Sequence, residues 1–269
     1  MSGPGTSRLV ATGLRWLDLA VRLAVIAFML APAVVIVLLS FSGEPGLRFP
    51  PRSWGTRHYR AVIDDPTWMD AIMTSIAIAV PVAIICILIG VPAAYALQRT
   101  KLPFKGLWMF LGLAPIVIPG VAYAIAVYAF FVQAGFIGFR PALIALNVAL
   151  AIPFVILIVG AAISRLPVEL ELVAMSLGAS RTRAVVGITF RLLAPAILVS
   201  AVFCFVTAFD EATFINFVGG PGVRTLPKVV FDSLRFNLDP AITAIATVLM
   251  GATGVLLACA AWIRRTHLD

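Results

Sequence analysis

The chain alternates long apolar blocks with short charged connectors, and the length of the blocks decides the first question. A helix rises 1.5 Å per residue, so about 20 mostly apolar residues cross a bilayer. Six blocks meet that length, at roughly residues 16–41, 68–97, 107–132, 141–163, 192–218 and 240–263. They predict an all-α integral membrane protein with six transmembrane helices. It is expected to form a single transmembrane domain over residues 1–269, since no stretch is left over for a separate soluble one. Arg8 and Arg15 ahead of the first block, with Ala31-Pro32-Ala33 inside it, have the look of a cleavable signal. The apolar run continues through residues 34–39, too long for a signal core, so a retained span is expected.

Composition agrees. Apolar residues make up 62% of the chain and charged residues 12%, about half the roughly 25% of a soluble domain. There is too little charge to clothe a soluble core, which excludes an ordinary soluble enzyme, a disordered chain and a disulfide-rich secreted module. The net charge of +8 does not point to nucleic acid, because the basic residues fall in short clusters between apolar blocks. Arg99/Lys101/Lys105 and Arg264/Arg265 flank span ends, and this modest excess places both termini on the cytoplasmic side. Cys86, Cys204 and Cys259 are far apart in apolar runs and are expected to be buried thiols, not metal ligands. Several prolines lie inside blocks, most densely Pro115 with Pro119-Gly120, where a bend is expected. That bend is either packing or the lining of a pathway.

Catalytic chemistry is not legible. Gly219-Gly220-Pro221-Gly222 lacks the Gly-Lys-Ser/Thr that would make it a phosphate loop, and it reads as a turn. No metalloprotease or serine-hydrolase motif occurs, so no catalytic residue, metal or bound cofactor is expected on this chain.

The connector between the fourth and fifth blocks, residues 164–191, is unusually long. Pro167 suits a helix start, and Leu170, Val173, Ala174 and Leu177 follow at helical spacing on one face. Gly178 ends or bends that helix and Ser180 suits the cap of a second, basic one. The apolar face needs cover, either from the bundle and interface or from a soluble partner.

Here the chain resembles a family. The permease subunits of binding-protein-dependent ABC importers carry Glu-Ala-Ala, three residues, Gly, nine residues, Ile, one residue, Leu-Pro. This chain matches at Ala174, Gly178 and Ile188, extended by Ala179 and Ser180. It departs at Leu172, where the motif has Glu and Glu171 stands one residue earlier, and at Val173, Phe190 and Arg191. Phe209-Asp210-Glu211, Gly220-Pro221-Gly222, Thr225-Leu226-Pro227, Asp239-Pro240 and Pro92-Ala93-Ala94-Tyr95 are similar to spermidine/putrescine importer permeases.

The resemblance implies that residues 164–191 form a cytoplasmic coupling loop docked on a separate ATPase. Ala174, Gly178, Ala179 and Ser180 would then allow close approach, while Glu171, Arg181 and Arg183 would pair with partner charges. It further implies two ATPase subunits that bind ATP and magnesium, a second permease of different sequence, an external solute-binding protein and a bacterial inner membrane. Nucleic acid has no part in it.

Asp210 and Glu211 interrupt the fifth block, where an acid at the bilayer centre costs about 2.5–3.5 kcal/mol. As helix neighbours they would point about 100° apart, so one could line a pathway while the other pairs within the bundle. The pathway reading, with Phe209 and Phe214 beside them, suits a small organic cation such as putrescine or spermidine; the other reading is a structural pair. Ferric iron, an aminophosphonate or an opine would use the same skeleton. A self-contained secondary transporter or an intramembrane enzyme are the alternatives from other classes, and neither explains the long connector.

Overall fold

A computed structural model describes residues 4–236 and 239–266. Among them there is no strand, only one isolated bridge between Ser42 and Trp54. The chain divides into two compact units, Met1–Asp64 with Asp239–Ala252, and Asp65–Leu238 with Thr253–Asp269.

The first unit holds α1 (Pro4–Ser40) and α2 (Arg57–Asp64). α1 leaves its apolar side chains uncovered: Phe28 is 81% and Met29 73% exposed, which suits lipid or another chain, not water. Asp18 and Arg22 pair at 2.7 Å one turn apart on its surface, so the arginine within the first expected span is matched by an acid. The link from α1 to α2 is stitched by Gly43 N–H to Ser53 O (3.0 Å) and Gly55 N–H to Phe41 O (2.8 Å). The Ser40 and Tyr59 hydroxyls meet at 2.9 Å. His58 is buried, and burial with neighbouring Arg57 holds its imidazole below the usual range, against a smaller opposite pull from Asp239.

The second unit contains α3 (Pro66–Arg99), α4 (Lys105–Val117), α5 (Gly120–Ala134) and α6 (Arg140–Ile163). It continues through α7 (Glu169–Ser176), α8 (Arg181–Ala184), a π-helical turn (Val185–Thr189) and α9 (Phe190–Leu192). Last come α10 (Ala194–Phe209), α11 (Thr213–Val218) and α12 (Leu226–Phe236). α13 (Ala241–Thr266) runs on from the first unit. α3 starts where Asp65 accepts the Thr67 N–H at 2.8 Å and Pro66 fills the first helical position. It stops at Thr100, whose hydroxyl turns back onto Ala96 O at 2.7 Å.

α3, α6 and α10 form the core. In lipid, apolar burial gives helices little reason to associate, so close packing by small residues does that work. Gly90 of α3 lies so near Val155 of α6 that a Cβ there would come within 2.8 Å of the valine. Cys86 and Cys204 are fully buried free thiols, directed at Val148 O (3.7 Å) and Ala151 O (3.6 Å) of α6, as their apolar settings suggested. The Cys259 side chain lies outside those described.

Of the six expected spans, α1 (over Leu17–Ser40), α3 and α6 are each long and apolar enough to cross a membrane. Two further spans exist only as bent pairs. α4 and α5 meet at 102° across Ile118-Pro119, so residues 107–132 are not one straight helix. The Pro115/Pro119-Gly120 cluster supplies the break: proline removes donors and α5 begins at the glycine. The run Arg181–Leu192 meets α10 at 67°. The sixth block lies in α13 (Ala241–Thr266), whose stretch Ala241–Val255 is apolar. The described helices thus give three spans, or five with each bent pair taken as one.

Candidate functional site: the arm after α6 and the break after α10

The arm begins where α6 ends. Glu169 and Glu171 occupy the first turn of α7, where the helix dipole favours acids. The helix lasts eight residues and stops at Gly178, whose φ of +91° is a left-handed conformation that only glycine adopts without strain. The Ala179 N–H reaches back to Ala174 O at 3.0 Å to close the turn. Ser180 then caps α8, its hydroxyl accepting the Arg183 N–H at 3.3 Å. Ala174 and Ala179 are half-buried; Gly178, Ser180, Arg181 and Arg183 are exposed. These positions therefore form one accessible turn.

Glu171, expected from the sequence as a rim acid meeting a partner cation, is the exception in its placement. It is 8% exposed and faces inward. Tyr95 Oη of α3 donates to its Oε2 at 2.8 Å, and Thr189 Oγ1 donates to its Oε1 at 2.6 Å. The apolar side chains take the outside instead: Leu172 is 52%, Val173 58% and Leu177 84% exposed. The apolar face, for which the bundle and a soluble partner were both open as cover, is left open in this chain. Ile188 and Arg191, two positions of the motif, line with Arg165 a groove of about 1140 Å³ between α6 and the start of α10.

The second feature is the end of α10. The sequence put Asp210 and Glu211 on a continuous helix; instead the helix stops at Phe209 and resumes at Thr213. The two acids part company. Glu211 turns onto the start of α11, where its Oε1 accepts the Phe214 N–H at 2.9 Å. Asp210 sits at the C-terminal end of α10, where exposed carbonyls already make the field negative, and its carboxylate is exposed. Phe209 is half-buried and stacks on Phe205 with centroids 5.6 Å apart. Phe214 is 3% exposed and packs edge-on against Tyr123 of α5 at 5.3 Å, among the buried core residues. Among the described residues no group of three or more His, Cys, Asp or Glu is placed to hold a metal ion.

Residues 86–265, which contain both the arm and the break, match the family described as "Binding-protein-dependent transport system inner membrane component". The chain belongs to that family. It is an inner-membrane permease of the ABC importer kind, a transport component and not a catalyst. The putrescine transport system permease protein PotI of Escherichia coli (strain K12) is 31% identical over 237 residues, covering 85% of this chain and 84% of the relative. The spermidine/putrescine transport system permease protein PotC of the same organism is 26% identical over 246 residues, covering 90% and 91%. A crystal structure of a bacterial ABC transporter involved in the import of the acidic polysaccharide alginate has the same fold. Its TM-score is 0.66 at 19% identity, covering 97% of this chain and 98% of that one.

Proposed function

We propose that this chain forms half of the translocation pathway of an ATP-driven importer for a small organic cation of the polyamine class. ATP and magnesium would be bound by two cytoplasmic ATPase subunits on other chains. A second permease of different sequence and an external solute-binding protein would complete the assembly. Residues 164–191 would face the cytoplasm, as would both termini, in keeping with the basic clusters at the span ends.

The observation that carries the cargo reading is Asp210. It is an exposed acid at the negative end of α10, just past the apolar run that ends at Phe209, in a chain 31% identical to a putrescine permease. A carboxylate placed against the helix dipole is poorly stabilised by its own fold and well placed to meet an amine in transit. Glu211 is engaged by backbone and serves the helix start.

Uptake of labelled putrescine by the reconstituted assembly tests this. Asp210→Asn is expected to lower the rate or shift selectivity several-fold, with Glu211→Gln reducing assembly instead. Unchanged uptake in an intact Asp210→Asn assembly would return both acids to structure. A second reading, a solute of another kind, is favoured by the alginate importer, whose fold is shared and whose cargo is a polyanion.

A further inference from the structure

α7 is polarised inside out: leucine and valine face outward while the one buried side chain is an acid. An eight-residue helix is too short to persist alone, so its attachment to the bundle fixes where it sits. Sliding apolar contacts would leave that position loosely defined. Here the attachment is a carboxylate whose two oxygens are each taken by a hydroxyl from a different element. Hydrogen bonds to a charged group are short, directional and strong relative to neutral ones.

The same face of α3 holds more than α7. Arg99, one turn beyond Tyr95, donates through Nη2 to Ile163 O (3.3 Å) and Leu166 O (2.6 Å), gripping the end of α6 as the arm leaves it. Phe190 packs edge-on against the Tyr95 ring at 6.0 Å, next to Thr189. The end of α3 therefore gathers the exit from α6, the arm helix and the helical run leading to α10.

We propose that Glu171, Tyr95 and Thr189 are positioning residues for energy coupling. Glu171 passes displacement of α7 through Tyr95 to α3 and through Thr189 to the run entering α10. The inference rests on the reading of residues 164–191 as the arm that meets an ATPase, and adds the inward half of the path. A structural role requires only that the acid be paired or replaced by something apolar. A coupling role requires that two elements move with it.

The test uses the full assembly in proteoliposomes, with its ATPase subunits and binding protein, and putrescine as the transported probe. Two quantities are read: stimulation of ATP hydrolysis by the binding protein, and solute accumulated per ATP hydrolysed. Tyr95→Phe with Glu171→Leu replaces the polar tie by an apolar contact that keeps the arm packed. Assembly and basal hydrolysis are expected to persist, while stimulation and the transport-to-hydrolysis ratio each fall about tenfold; Thr189→Val alone should give a partial loss, about threefold. Wild-type coupling in the double variant would overturn the proposal. A Leu177→Cys cross-link to the ATPase separates the two ideas. If it forms and the double variant stays coupled, the inward relay fails alone; if it does not form, the arm reading has failed and the relay with it.

Discussion

Glu171 and Asp210 are two acids at two interruptions of helix, and the fold treats them in opposite ways. Glu171 begins a short helix, lies 8% exposed and is held by two hydroxyls. Asp210 ends a long helix and stands exposed. The difference is one of helix polarity. At a helix start the backbone offers N–H groups and a favourable field, so an acid there is easily absorbed into structure, as Glu211 also is. At a helix end the backbone offers only carbonyls, and an acid must find its compensation elsewhere. An interruption can therefore anchor a side chain or leave it available, depending on which end of the helix it occupies.

The largest way to break this contrast is to disable the anchored region without touching its acid. Gly178→Trp forces a non-glycine residue into φ +91°, at about 1–2 kcal/mol for the backbone, and puts bulk on the open face of the arm. Uptake is expected to fall more than tenfold with the protein still expressed and ATP hydrolysis continuing. Normal uptake would take the arm out of the mechanism. Next, Glu171→Ala leaves the buried Thr189 hydroxyl and the half-buried Tyr95 hydroxyl without their acceptor and should cost about 1–3 kcal/mol, read as a lower unfolding temperature in detergent. Stability within error of wild type would mean the pair is not formed. Asp210→Asn should move stability by no more than about 0.5 kcal/mol, since nothing in the fold depends on the charge. A large loss there would erase the distinction between the two acids. Smallest of all, Asp18→Asn removes an exposed pair on α1 and should cost about 0–1 kcal/mol, measured by the same melting assay.

Much of this was legible in the residues. Block lengths located α1, α3 and α6; Pro119-Gly120 located a bend; Gly178 and Ser180 located the turn and cap of the arm. These are local signals, settled within one helical turn. The sense of α7 was not legible, because Leu170, Val173, Ala174 and Leu177 form an apolar face that says nothing about which side is covered. The partners of Glu171 come from 76 residues upstream and 18 downstream, a juxtaposition that only the packing of α3 against α6 creates. The break at Asp210 escaped for a related reason: Phe209 to Val218 contains no proline or glycine to announce it. The angle of 102° between α4 and α5 is likewise set by packing, although its location is written in the sequence.

The π-helical turn at Val185–Thr189 has a consequence of phase. Its widened loop, with the Phe190 N–H reaching Val185 O, accommodates one residue more than an α-turn. That additional residue advances everything after it around the axis, and it brings Thr189 onto the carboxylate of Glu171. Removing a single residue between 185 and 189 would restore ordinary winding and swing the threonine by about 100°. Chain length in this short stretch thus acts as an angular setting: a deletion that leaves every remaining side chain intact would still turn the threonine away from Glu171.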